Sequence, residues 1–302
     1  MDDRKKATVL AAFAADALAL GPHWIYDTAQ IETSFGRVED LRDPLPTTFH
    51  KGKQRGQFTH YGDQALTLLE SVMTRGGFDA AVFAADWRRM FDGYAGYRDH
   101  ATRATLENLA GGLPWEKAGS GSTDLGGASR IAPLGGLYLE NPNAFADAAR
   151  QQTALTHNHP DVVDSAEFFA RVTAVVAAGG GLPDGIRQVA ATHFDRSPFK
   201  DWVARGFQSA GRDTREVIRE FGQQCSVGAA FPAVIHLLAR YPEDLKTALV
   251  ENVMAGGDSA ARGMIVGMVL GAHLGPAAIP ETWLTGMAAR QRIVALLERA
   301  EA

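Results

Sequence analysis

Apolar residues recur at three- and four-residue spacing through most of the chain, the period of amphipathic and buried helices. The pattern predicts helices over 7–20, 65–73 running on through 72–90, 144–155, 162–178, 213–221, 229–239, 245–254, 260–274 and 291–300. No alternating runs bounded by hairpin turns occur, so no sheet is predicted. The 32 glycines and 13 prolines fall mostly between the helical runs, as at Gly21-Pro22, Gly76-Gly77, Gly111-Gly112 and 179–181, where they act as punctuation. A chain of 302 residues is within reach of one large core. The expected architecture is therefore all-α: a compact single-domain bundle of many helices over 1–302, with a division near 179–183 as the alternative. Within 260–274, Gly263, Gly267 and Gly271 line one face. That face would admit the backbone of another helix, which marks this as the most buried helix.

Composition narrows the function classes. Hydrophobic residues make up 46% and charged residues 22% of the chain, as in an ordinary globular enzyme. A net charge of −5 with pI ≈ 6.0 and no basic stripe argues against a nucleic-acid partner. Cys225 is the single cysteine, which rules out an intrachain disulfide and a cysteine zinc cluster and fits a reducing, cytoplasmic setting. The 7–20 run contains Asp16 and no small-x-small cleavage pattern after it, so we read a first helix rather than a signal peptide. The nearest approach to a membrane span, 263–274, is too short.

Two distant segments end alike. His60-Tyr61-Gly62-Asp63 precedes one apolar helix, and Gly256-Gly257-Asp258 precedes another. Either aspartate alone reads as a helix cap. As a pair meeting in space they would be a catalytic or metal centre, since magnesium needs only one or two protein carboxylates. Asp16 is the one charge in its apolar run and must find a partner or line a cavity. The small-residue segment 119–130, with Gly126, Gly127, Ser129 and Arg130, is either a phosphate-cradling loop or a plain surface loop. His157-Asn158-His159-Pro160 offers a His-x-His pair, more often one packed ring and one cap than a metal site. His23 and Trp24 open an aromatic-rich corner that could stack on a base or sugar, or simply pack. His60 and Tyr61 are candidate polar groups beside Asp63, or loop packing.

Taken in order, these segments resemble the ADP-ribosylglycohydrolase family, which includes the dinitrogenase reductase activating glycohydrolases. Ala15-Asp16-Ala17-Leu18 is similar to the family's Gly-Asp-Ala-Leu, and Tyr61-Gly62-Asp63 falls where the family has Thr-Asp-Asp. The stretch from Gly127 through Arg130 to Gly135 resembles its Gly-Ala-Met-Arg-x-Ala-Pro-Ile-Gly, and Thr156-His157 its Thr-His. Gly257-Asp258-Ser259-Ala260-Ala261 and the closing Ile279-Pro280-Glu281-Thr282-Trp283-Leu284 complete the series. The resemblance implies an all-α fold and a pair of magnesium or manganese ions between two Asp-bearing helix starts, acting in release of ADP-ribose. It places metal ligation on Asp63 and Asp258. It also implies losses: Gly62, Ala260 and Ala261 replace groups with ligand oxygens, and His23 or Trp24 stands near the position of a missing glutamate. These departures resemble the branch that includes the jellyfish J1-crystallins.

The resulting expectation is a hydrolase of an ADP-ribosyl or related glycosidic bond, with at most one magnesium ion. Asp63, Asp258 and His60 would be catalytic. Asp16, His23, Trp24, Gly126, Gly127, Ser129, Arg130 and His157 would line the pocket for a small-molecule or ADP-ribosylated substrate. The alternative is an inactive ligand-binding or crystallin-like relative with a degraded metal site.

Overall fold

The first helix, Asp3–Ala19, lies against the glycine face of Ser259–Leu274 in a computed structural model that describes residues 3–196 and 198–299. A Cβ added at Gly267 would lie 2.5 Å from Ala11 O, and one at Gly271 2.5 Å from Ala7 O. Only glycine lets the two backbones approach this closely. Both helices are almost wholly buried, and the remaining elements wrap around the pair. Among the described residues there are 18 α-helices, one short 3-10 turn and no strand. Buried apolar side chains from Ala7 to Leu297 form one contact cluster.

Short polar residues start many of these helices by accepting a bond from a first-turn N–H. Asp27, Asp79, Asp99, Asn141, Asp213 and Asp244 all cap in this way. The 72–90 run predicted as continuous is two helices, His60–Arg75 and Ala80–Met90. Gly76, at φ +68°, takes the left-handed conformation that ends the first. Eight further helices among the described residues lie where none was expected, the longest being Thr28–Phe35, His100–Ala110, Leu182–His193 and Phe199–Ser209. No described helix is long and apolar enough to cross a membrane. The expected end at Ala300 lies outside the described residues.

Candidate functional site

Three segments converge at the N-termini of the two buried helices His60–Arg75 and Ser259–Leu274. One is the corner after the first helix, where Trp24 holds φ +62°, the single non-glycine residue with positive φ among those described. Such a conformation costs about 1–3 kcal/mol and persists only when the surroundings impose it. Here Trp24 N donates to Gly257 O at 2.9 Å, and Gly257 N donates to Ile25 O at 2.8 Å. The second is the Gly256-Gly257 turn, with φ of +72° and +66°. Asp258 N then donates to Gln223 O at 2.9 Å, so three backbone bonds fix where the aspartate points. The third is the start of the His60 helix. Thr59 caps it and donates to Asp16 through both its N–H (2.8 Å) and its hydroxyl (2.6 Å).

Asp16 thus anchors the helix start. It is fully buried, and burial pushes its carboxyl up to about 6 against the pull of the Thr59 bonds. A Cβ at Gly62 would lie 2.3 Å from Asp16 Oδ2 and 2.7 Å from Phe58 Cβ. Glycine at position 62 is therefore required by the anchor it packs on.

Asp63 and Asp258 have no bonding partner in common. Asp63 Oδ2 accepts from Lys53 Nζ at 2.5 Å and from Tyr94 OH at 2.6 Å, and it borders an open groove of ≈ 590 Å³ with Glu70, Arg75, Asp86 and Arg292. Asp258 is 0% exposed. It accepts long bonds, 3.4 Å each, from Tyr61 OH and from Ala261 N, and its Oδ1 lies 3.8 Å from His23 Nε2. Burial pushes its carboxyl up to about 6, although Arg262 and His60 pull it down. Arg262 is itself committed to Asn252 and to Gly256 O.

This arrangement does not fit the magnesium ion expected at Asp63 and Asp258. The Lys53 ammonium already neutralises Asp63, and Gly62, Ala260 and Ala261 bring no oxygen ligands of their own side chains. A magnesium ion held by one carboxylate completes its octahedron with waters, and fully buried Asp258 faces no solvent to supply them.

The other expected residues divide. His23, Trp24, His60 and Tyr61 pack together: His60 and Tyr61 ring centroids are 3.9 Å apart, His23 and Trp24 4.5 Å. Gly126 and Gly127 are buried against this group, with Cβ positions 2.3 Å from Tyr61 Cε1 and 2.7 Å from His157 Cβ. Ser129 donates to Gly126 O at 2.9 Å. Arg130 is fully buried and binds Gln64 and Thr156, so its guanidinium is engaged by protein groups. Burial lowers it to about 10. His157 bonds Thr156 Oγ1 at 2.9 Å, and burial with Arg130 nearby lowers its imidazole to about 3.

Sequence reasoning missed six residues here: Phe49, His50, Lys53, Tyr94, Tyr97 and Asp99. Phe49 and Tyr97 close over Trp24 with ring centroids 5.0–5.3 Å apart. Asp99 caps the His100 helix and faces His60, its Oδ2 being 3.1 Å from Nε2. Burial alone would raise the Asp99 carboxyl, but His60 reverses that and holds it well below the usual range. His50 is 2% exposed, and neither of its ring nitrogens has a hydrogen-bond partner. Besides His60 Nε2, which faces Asp99, five of the other nine buried side-chain polar atoms lacking a hydrogen-bond partner, among the described residues, belong to His23, Trp24, His50 and His60. Each such atom costs about 1–3 kcal/mol, so their concentration at one point is a property of the site. The one sequence signal for these residues was Asp99-His100, a cap before an unrecognised helix.

Known proteins share this fold and its whole extent. A sequence model described as ADP-ribosylglycohydrolase matches residues 1–302. Crystallin J1A of Tripedalia cystophora is 22% identical over 98% of this chain and 96% of its own, and crystallin J1B of the same animal 24% over 94% and 91%. An uncharacterized protein of Archaeoglobus fulgidus is 26% identical, covering 96% and 93%. A solved structure described as an ADP-ribosylglycohydrolase-related protein complex superposes with a TM-score of 0.73 at 23% identity, covering 99% of this chain and 96% of that one. The all-α architecture and the end-to-end match together establish that the chain belongs to the ADP-ribosylglycohydrolase family.

Proposed function

We propose that the protein hydrolyses the glycosidic bond of an ADP-ribosyl or related group, with Asp258 as the proton-transferring carboxyl and without the family's metal pair. The observation that carries this reading is Asp258 itself: a carboxyl with no exposure, pushed up to about 6, placed by a rigid glycine turn. A carboxyl poised near the working pH can give a proton to a leaving oxygen or nitrogen and take one back from water. Tyr61 OH, 3.4 Å from Asp258, is a neutral donor for a developing oxyanion. Burial raises that phenol well above its ordinary range, so it keeps its proton. Substrate would reach Asp258 when Phe49 and Tyr97 part from Trp24. His60, oriented by Asp99, borders that entry.

Release of ADP-ribose from ADP-ribosylated peptide and from O-acetyl-ADP-ribose tests the proposal. We expect turnover that does not depend on added Mg²⁺, and a loss of about 10²–10⁴-fold in kcat/KM for Asp258→Asn. No release from any such substrate would defeat it. A second reading is favoured by the closed aromatic cover and by the crystallin relatives: a non-catalytic relative. Calorimetry with ADP-ribose then separates a ligand binder, which gives a saturable heat, from a structural protein, which gives none.

A further inference from the structure

We propose that His23, His50 and His60 form a binding site for a single borderline transition-metal ion of the zinc class. One ring nitrogen from each lies within 4.8 Å of the others. All three residues are at most 2% exposed. Their ring centroids stand 5.3, 5.6 and 6.2 Å apart. With Zn–N bonds of about 2.0–2.1 Å, a tetrahedral ion draws ligand nitrogens to about 3.4 Å and imidazole centroids to about 5 Å. Small side-chain rotations supply that closure.

The second observation is the set of unpartnered nitrogens. His50 has two, His60 has Nδ1, and His23 has Nε2. Unpartnered imidazole nitrogens gathered at one point are what a metal ion satisfies. His23 Nδ1 accepts a long 3.4 Å bond from Ala260 N. Ligation through Nε2 moves the ring proton to Nδ1 and forfeits that contact. Asp99, 3.1 Å from His60 Nε2, supplies the carboxylate that commonly orients a metal-bound imidazole, leaving His60 Nδ1 for the ion. Three nitrogens suit zinc, nickel, copper or ferrous iron and do not suit magnesium. The site is therefore different in kind from the family's carboxylate centre, and it stands whether or not Asp258 is catalytic. An ion there would tie together three separate stretches: the corner after the first helix, the loop carrying Phe49 and His50, and the start of the His60 helix.

The test is metal analysis of the full chain purified from Zn²⁺-supplemented cells, followed by chelation and titration with Zn²⁺ and Co²⁺. We expect one equivalent of metal, a Tm that rises on readdition, and a visible Co²⁺ spectrum of tetrahedral type. His50→Gln should abolish all three while keeping the helical circular dichroism of the parent. Asp99→Asn should weaken Zn²⁺ binding about 10–100-fold. Wild-type protein that retains no metal and whose Tm is unmoved by Zn²⁺ or Co²⁺ overturns the proposal. So does a His50→Gln protein that binds as tightly as the parent.

Discussion

Asp16 shows how one side chain can be read correctly in kind and still leave its role open. Its isolation in an apolar run made burial legible, and the structure gives it two bonds to Thr59 rather than a place facing a cavity. The carboxyl is held up at about 6, chiefly by burial. Between the ordinary 3.8 and about 6, the native chain keeps a proton that the unfolded chain has released. Stability is therefore fully present below 3.8 and is lost as pH rises through about 6, by on the order of 3 kcal/mol. Asp16→Asn should remove that contribution, so urea-measured stability should rise more from pH 4 to pH 7 in the variant than in the parent. A wild-type slope in the variant would show that Asp16 titrates normally. Gly62 carries the companion prediction. Gly62→Ala forces a methyl against Asp16 and Phe58, so we expect a loss of about 1–3 kcal/mol. Restoring the family's acidic residue at 62 would meet the same obstacle. The sequence named His60, Tyr61 and Asp258 because each flanks a glycine or opens a helix, and His23 and Trp24 because they stand in an aromatic-rich corner after Gly21-Pro22. It could not name His50, Lys53 or Tyr94, which stand in aperiodic stretches and acquire neighbours only through tertiary approach.

At the level of elements, legibility followed periodicity. The glycine face of Ser259–Leu274 predicted a close helix contact, and Asp3–Ala19 provides it. Helices such as Thr28–Phe35 and His100–Ala110 escaped notice because they bury only a few residues each and start from aspartate caps that also read as loop. The stretch between Gly36 and Thr59 was opaque for a different reason. It has no helix of its own, and its contribution is made by Phe49, His50 and Lys53 reaching across to other elements. Its tip carries exposed Lys51 and Arg55, which are sites for trypsin. If an ion joins His50 to His23 and His60, this loop loses its local opening. Saturating Zn²⁺ should then slow tryptic cleavage after Lys51 and Arg55 in the parent and not in His50→Gln. Equal cleavage with and without the ion would show that no such tie forms.

For the whole molecule, acid stability is set by buried titrating groups rather than by net charge. The chain carries −5 at neutral pH and a pI near 6.0, so global self-repulsion is weakest near pH 5–6 and cannot drive unfolding there. Burial holds four imidazoles below the ordinary 6.5: His23 far below, His50 at about 2, His157 at about 3 and His236 at about 4. Each takes up a proton in the unfolded chain near pH 5 and refuses one in the native chain, so each makes stability fall on acidification. Asp16 and Asp258, raised by burial to about 6, and Glu70 and Asp124, also raised by burial, act in the opposite direction. The parent's slope at pH 5 is the difference between the two sets, and each ring's share is read by removing it. In His50→Gln one ring of the four is gone, so urea-measured stability with a chelator present should fall less from pH 6 to pH 5 than in the parent, by about 1 kcal/mol. Identical slopes in parent and variant would mean that His50 takes up a proton in the folded chain, and the tightly closed histidine and aromatic cluster would have to open in acid to let it do so.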